Sequence, residues 1–229
     1  MPRSKAQVDR AGGQLRDWFM GETPVGALDE PPLDEAVKVV SGWRASFFEP
    51  LNVVTGVVAR CTGTSPTFRH KRMSRIVYKL VRFPSMRLTQ MEDIGGCRVV
   101  VPDRTALEAA RAAVLQQWSE AGVDDYLGRP KDTGYRAIHI VPVESGRAVE
   151  VQLRTERQNE WADVVERTDD RLDTMLKDGK GPPDLQEYFC QAAARIAIEE
   201  EGGTVGEDQE RAFADLRERV RPYFRTRNG

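Results

Sequence analysis

The chain is poor in the residues that build most metal centres and covalent frameworks. Among its 229 residues are three cysteines and two histidines. Cys61, Cys97 and Cys190 are odd in number and widely spaced, which fits neither a disulfide framework nor a zinc site. With His70 and His139 alone, a multi-histidine metal site is excluded. Long apolar runs are also missing. No stretch is apolar enough to span a bilayer, and Met1-Pro-Arg-Ser-Lys5 leads into a charged segment, not a signal-peptide core. These absences predict a soluble, reducing, cytoplasmic protein with no membrane association. There is no Walker-type glycine loop, so a bound phosphate would have to be cradled by arginine and lysine.

Acidic residues are absent from one long segment. The net charge of −2 hides an uneven distribution. Pro50 to Met91 contains no Asp or Glu but carries Arg60, Arg69, Lys71, Arg72, Arg75, Lys79, Arg82 and Arg87. Residues 199 to 210 are the reverse, with six carboxylates. The local basic field therefore says more than the total. On a helix starting near Ser74, Lys71, Arg75, Lys79 and Arg82 fall on one stripe, opposite Ile76, Leu80 and Phe83. Four like charges repel by roughly a few tenths of a kcal/mol per neighbouring pair, a cost that a polyanion would relieve. The same pattern also describes a solvated helix face.

Periodicity and punctuation predict an α+β chain: helices, a mixed sheet of about five strands with interleaved helices, then helices. Ser4-Lys-Ala-Gln7 resembles a capping box for a helix to about Phe19. Gly21 to Pro32 reads as a loop with three prolines. A second helix near Asp34 should carry Val37, Val40 and Trp43 inward, and Pro50 to Ala59 could be a third. Short strands are expected near Phe68 and over Ile94 to Val101, with Asp103 capping the helix that follows. Tyr135 to Val143 and Arg147 to Arg154 form a hairpin around a tight Glu-Ser-Gly turn. Glu156 to Leu176 is a long helix, and two more helices follow Pro183. The expected division is a helical segment over 1–60, a core over 61–178 and C-terminal helices over 184–229.

Four short segments could carry chemistry. In Glu150-Val-Gln-Leu-Arg-Thr155, polar residues alternate with Val149, Val151 and Leu153. Glu150, Gln152 and Arg154 should therefore share one strand face while the apolar three enter a core. A carboxylate there can accept a hydroxyl proton or hold a metal; it can equally pair with an arginine across the sheet. In Asp93-Ile-Gly-Gly-Cys-Arg98, the carboxylate at the mouth of a strand suits Mg2+, and Gly95 and Gly96 permit a bulge or close approach. A plain turn aspartate is the alternative. Gly134-Tyr-Arg-Ala-Ile-His139 places Tyr135 and His139 on one face if it is a strand, with a ring that could stack on a base. A half-buried tyrosine beside a satisfied core histidine is the other reading. The fourth segment is the basic stripe.

Together these segments resemble the synthetase domain of the RelA/SpoT family. The ordered match runs from about Phe68 to Arg167. It comprises Arg69-His-Lys71-Arg-Met-Ser74 with Lys79, then Asp93 to Arg98, Lys131-Asp-Thr-Gly134-Tyr135-Arg136-Ala-Ile-His139, and Glu150 to Thr155 with Trp161-Ala162 and Glu166 following. The resemblance implies transfer of the β,γ-pyrophosphate of ATP to a ribose 3′-hydroxyl. It implies Arg69, Lys71, Ser74, Lys79 and Arg98 at the ATP. It implies Asp93 and Glu150 as the catalytic pair holding Mg2+, with Glu150 as second ligand or general base. It implies Lys131, Tyr135, His139, Gln152 and Arg154 at the acceptor.

Arg167 stands where many relatives have histidine, which bears on local acceptor contacts and not on the reaction type. No hydrolase domain is recognisable, so a synthetase-only enzyme is expected. The resemblance implies GDP or GTP as the expected acceptor, as in alarmone synthesis. The alternative is a toxic relative that modifies the tRNA 3′ end or makes adenosine alarmones, with Arg72, Arg87 and Arg129 on an RNA backbone. A non-catalytic nucleotide-binding module would have lost Asp93 or Glu150, and both are present. The C-terminal helices could serve a homo-oligomer or bind an antitoxin.

Overall fold

A computed structural model of the chain describes residues 3–21 and 33–225. Eight α-helices occur among these residues: α1 (Lys5–Met20), α2 (Leu33–Ala45), α3 (Phe48–Thr62), α4 (Met73–Arg82), α5 (Arg104–Gln117), α6 (Glu156–Leu172), α7 (Pro183–Glu200) and α8 (Glu207–Phe224). The strands are β1 (Thr67–His70), β2 (Gly95–Val101), β3 (Gly122–Asp125), β4 (Ile138–Val141), β5 (Val143–Glu144) and β6 (Arg147–Thr155). They hydrogen-bond in the order β1-β2-β6-β4-β3, with β5 on β6. This is the expected α+β class, with one strand more than expected. Of the loop expected from Gly21 to Pro32, residues 22–32 lie outside the described residues.

Local chemistry explains the element boundaries. The Ser4 hydroxyl accepts from Gln7 N, the Gln7 side chain accepts from Ser4 N, and Gly21 closes α1 in the left-handed region. Asp103 Oδ1 accepts from Ala106 N at the start of α5, as expected. Ser145 and Gly146 both take positive φ, 49° and 72°, which defines the two-residue turn between antiparallel β5 and β6. Helix α6 ends earlier than expected. Asp173 adopts φ 51°, and the Asp169 carboxylate accepts from Thr174 Oγ1 and Leu176 N. The chain is thereby folded back into a single 3-10 turn at Leu176–Asp178.

The chain divides into two compact units. The first draws on Met1–Arg98, Gln117–Gly122 and Ile140–Val151. Its core joins Val8, Ala11 and Leu15 of α1 to Val39, Val40 and Trp43 of α2 and Ile76 and Leu80 of α4. Val37, expected to face inward, is 39% exposed, and Ala36 takes the buried position. Phe83 also leaves its expected apolar stripe; it is exposed beyond the end of α4, beneath the Arg82 guanidinium.

The second unit draws on Val99–Gln116, Val123–His139 and Gln152–Gly229. Its core joins Trp161, Ala162 and Val165 of α6 to Leu185, Phe189 and Ala193 of α7 and Leu216 and Val220 of α8. Gly134, at φ 86°, lies so close to α7 that a Cβ there would sit 3.0 Å from Ala193 Cβ and from Cys190 Cα.

Candidate active site

In the first unit a carboxylate is clasped by two ammonium groups. Strand β1 runs antiparallel to β2, with His70 opposite Gly95, and Lys71 N donates to Ile94 O just beyond the pair. The end of β1 is anchored from α2: Arg44 Nε donates to Lys71 O, and the His70 ring meets Arg44 O. This fixes the backbone from which Lys71 reaches Asp93. Lys71 Nζ donates to Asp93 Oδ2 at 2.6 Å, and Lys79 Nζ, from the last turn of α4, donates to Oδ1 at 2.9 Å. Burial pushes the Asp93 carboxyl up, but the two lysines outweigh it and hold the group below the usual carboxylate range. Burial lowers Lys71, and nearby Lys79 and Arg69 add to that, against the opposing pull of Asp93. Arg69 lies exposed in β1 opposite Gly96, and Ser74 is exposed in the first turn of α4. Arg98, at half-burial in β2, lies opposite Thr67.

Glu150 belongs to the same unit. The register of β2 with β1 is regular across Gly95 and Gly96, so of the two alternatives the bulge does not form against β1. The glycine serves close approach instead: a Cβ on Gly96 would lie 2.8 Å from Glu150 O and 3.4 Å from Glu150 Cβ. Asp93 is three residues before Gly96, so its Cα is at most about 11 Å from that of Gly96. Along β6 the expected alternation holds: Val149, Val151 and Leu153 are buried, while Glu150 and Gln152 are partly exposed. Beside Glu150 the Cys97 thiol is buried and pushed up to about 11, chiefly by burial.

The second unit gathers the other expected residues. The Lys131 ammonium lies 4.5 Å from the Tyr126 ring centroid and 5.2 Å from that of Tyr135. Arg154 Nη2 donates to the Tyr135 phenol oxygen at 2.9 Å and to Gln152 Oε1 at 3.1 Å. The phenol and His139 Nε2 are 2.7 Å apart. Because Arg154 donates to the phenol oxygen, the phenol hydrogen is available to Nε2. Tyr135 precedes β4 and does not share a strand with His139 as expected; this hydrogen bond and an edge-on ring contact at 5.7 Å join them. Arg154 is 4% exposed, and its Nε and Nη1 find no hydrogen-bond partner among the described residues. Leaving such donors unpaired costs about 1–3 kcal/mol per group.

The structure thus groups Lys71, Lys79 and Asp93 by direct contact, with Arg69 flanking, and separately groups Lys131, Tyr135, His139, Gln152 and Arg154. Ser74 is the second residue of α4, whose N-cap Arg72 makes no side-chain cap bond. Tyr126, which none of the four sequence segments includes, contacts Lys131, Tyr135 and His139. Its only signal in the sequence is an aromatic ring just before the Lys131 segment. Trp161 and Ala162 of the family motif are core residues, with Trp161 Nε1 donating to Phe189 O at 2.8 Å.

Known proteins resemble this chain in sequence and in fold. Residues 68–168 match the model of the region found in RelA / SpoT proteins. A probable chloroplastic GTP diphosphokinase of Arabidopsis thaliana is 31% identical over 94 residues, 40% of this chain and 13% of its own length. An uncharacterized protein of Mycobacterium tuberculosis is 29% identical over 219 residues, covering 87% of this chain and 75% of its own. Small alarmone synthetase 1 of Bacillus subtilis, solved with its product pppGpp, superposes with a TM-score of 0.56 at 18% identity. That match covers 79% of this chain and 99% of the other. Small alarmone synthetase 2 of the same organism gives 0.54 at 20% identity, covering 70% and 91%. The fold is therefore that of the small alarmone synthetases. Through residues 68–168 this chain is similar to the RelA/SpoT family, and it spans 13% of the length of the plant relative.

Proposed function

We propose that the protein transfers the β,γ-pyrophosphate of ATP to the ribose 3′-hydroxyl of GDP or GTP. The observation that carries this reading is Asp93 held between Lys71 and Lys79, in the unit that also contains Glu150. Two lysines neutralising one carboxylate are cations in waiting: a polyphosphate gives them stronger partners and frees the carboxylate for a metal. Among the described residues no group of three or more acidic, histidine or cysteine side chains could hold a metal. Asp93 and Glu150 alone suit Mg2+, which takes one or two protein carboxylates and completes its shell with phosphates and water. When bound, Mg2+ would neutralise charge on the transferring phosphates.

The chain's own residues supply positioning and charge, which is most of what phosphoryl-type transfer needs. Arg69 and Arg98 hold the adenine, with Ser74 beside the phosphates that Lys71 and Lys79 draw in. Glu150 accepts the 3′-hydroxyl proton or shares the metal. Lys131, His139, Gln152 and Arg154 orient the acceptor, and Tyr135 stacks on its base. The guanine acceptor is supported by the name of the Arabidopsis relative and by the product bound to the Bacillus synthetase.

Incubation with γ-labelled ATP and Mg2+ plus GDP, GTP, ATP or bulk tRNA tests the reading. Label is expected in GDP or GTP. Label in tRNA, with a rate falling steeply as salt rises, would instead establish the RNA-modifying alternative. No transfer to any of them would sink the proposal.

A further inference from the structure

Tyr126 sits in the midst of the residues placed at the acceptor, between β3 and the turn that carries Lys131 and Tyr135. Its backbone is pinned on both sides. Tyr126 N donates to Ala137 O at 2.9 Å. The preceding Asp125 accepts from Leu127 N at 2.9 Å and Gly128 N at 3.0 Å through Oδ1, and from Arg111 at 3.1 Å through Oδ2. The ring is thus presented from a fixed loop.

From there it touches three of the five acceptor residues. The Lys131 ammonium lies 4.5 Å from its centroid, closer than to Tyr135. Its ring meets the His139 ring edge-on at 5.1 Å and 81°, and the Tyr135 ring at 5.8 Å and 65°. A lysine stem has several rotatable bonds, and a ring face offers its charge one favoured place without neutralising it. A carboxylate in the ring's place would also hold the lysine, but would compete with an anionic acceptor. Edge-to-face contact also limits how His139 and Tyr135 can rotate.

We propose that Tyr126 is a positioning residue for the acceptor: its ring holds the Lys131 ammonium beside the Tyr135–His139 pair. The inference rests on the acceptor role given above to Lys131, Tyr135 and His139. It assigns the work to the ring and not to the hydroxyl.

The test uses the full chain with Tyr126→Leu and Tyr126→Phe. Leucine should raise the acceptor KM about tenfold, because it can supply neither the cation–π nor the ring-pair interactions, with the KM for ATP unchanged. Phenylalanine should restore the acceptor KM to within about twofold, because it keeps both. Independently of turnover, the ring-proton NMR signals of His139 should move in the leucine variant and not in the phenylalanine one, while those of His70 stay. If wild-type protein labels no acceptor, the proposed reaction falls, and the His139 signals still decide whether Tyr126 orders that ring. An unchanged acceptor KM with unmoved His139 signals overturns the inference. So does a leucine variant in which both KM values rise together.

Discussion

Lys71 donates to Asp93 across 2.6 Å, from a side chain only 9% exposed, and Lys79 takes the other carboxylate oxygen. Removing the carboxylate would leave two ammonium groups facing each other. Asp93→Asn should therefore cost about 1–3 kcal/mol of folding stability by chemical denaturation. It should also abolish Mg2+-dependent pyrophosphate transfer. A variant of wild-type stability would show that the clasp contributes nothing to the fold.

The acid limb of stability follows from the same group. Its folded pKa lies below the ordinary value, so its contribution is present above the unfolded value of about 3.9. That contribution disappears as pH falls through the lower folded pKa. Urea unfolding between pH 3 and pH 7 should show a steeper acid decline for the wild type than for Asp93→Asn. Parallel curves would contradict the assigned shift.

Gly96→Ala should be costly because its Cβ would meet Glu150 O at 2.8 Å, a backbone atom that cannot swing aside. A loss of about 1–3 kcal/mol is expected from overpacking. Gly122→Ala, with nothing within 4 Å of its Cβ, serves as the control and should be close to neutral. Equal melting temperatures for the two variants would refute the close approach.

Glu150→Gln keeps size and shape but removes the negative charge. Transfer should fall at least about 10²-fold, the usual contribution of a general base, while ATP binding measured by calorimetry persists. Near-normal turnover would remove Glu150 from the reaction.

Cys97 and Cys190 should differ in reactivity. Cys97 is buried with its thiol pushed up to about 11, whereas Cys190 is exposed. Brief iodoacetamide treatment at pH 8, read by mass spectrometry, should alkylate Cys190 and spare Cys97. Equal labelling would mean that β2 opens readily.

What the sequence revealed depended on how local each signal was. The capping box at Ser4, the Asp103 cap and the Val149-Val151-Leu153 alternation act within a few residues, and each recurs in the structure. The early end of α6 did not show, because Asp173 carries no glycine-like signal and the stop depends on where Asp169 finds donors. The strand across Tyr135 failed for a related reason. Its Lys131–Gly134 turn holds Tyr135 outside β4, and side-chain contacts, a hydrogen bond and an edge-on ring pair, bring it back to His139. Among site residues, the basic stripe was legible as charge, but which lysines turn toward Asp93 was not. Arg154 was expected on the polar face of β6 with Glu150 and Gln152, yet it is buried against the Tyr135 ring, because alternation sets a face and says nothing of what later covers it.

The seat of Gly134 on α7 reaches further than its single missing methyl suggests. The turn bearing Lys131 and Tyr135 has Phe189, Cys190 and Ala193 as its floor. Anything that slides, clamps or trims the C-terminal helical pair would be felt at that turn as a change of tilt. These helices would then double as a handle on turnover.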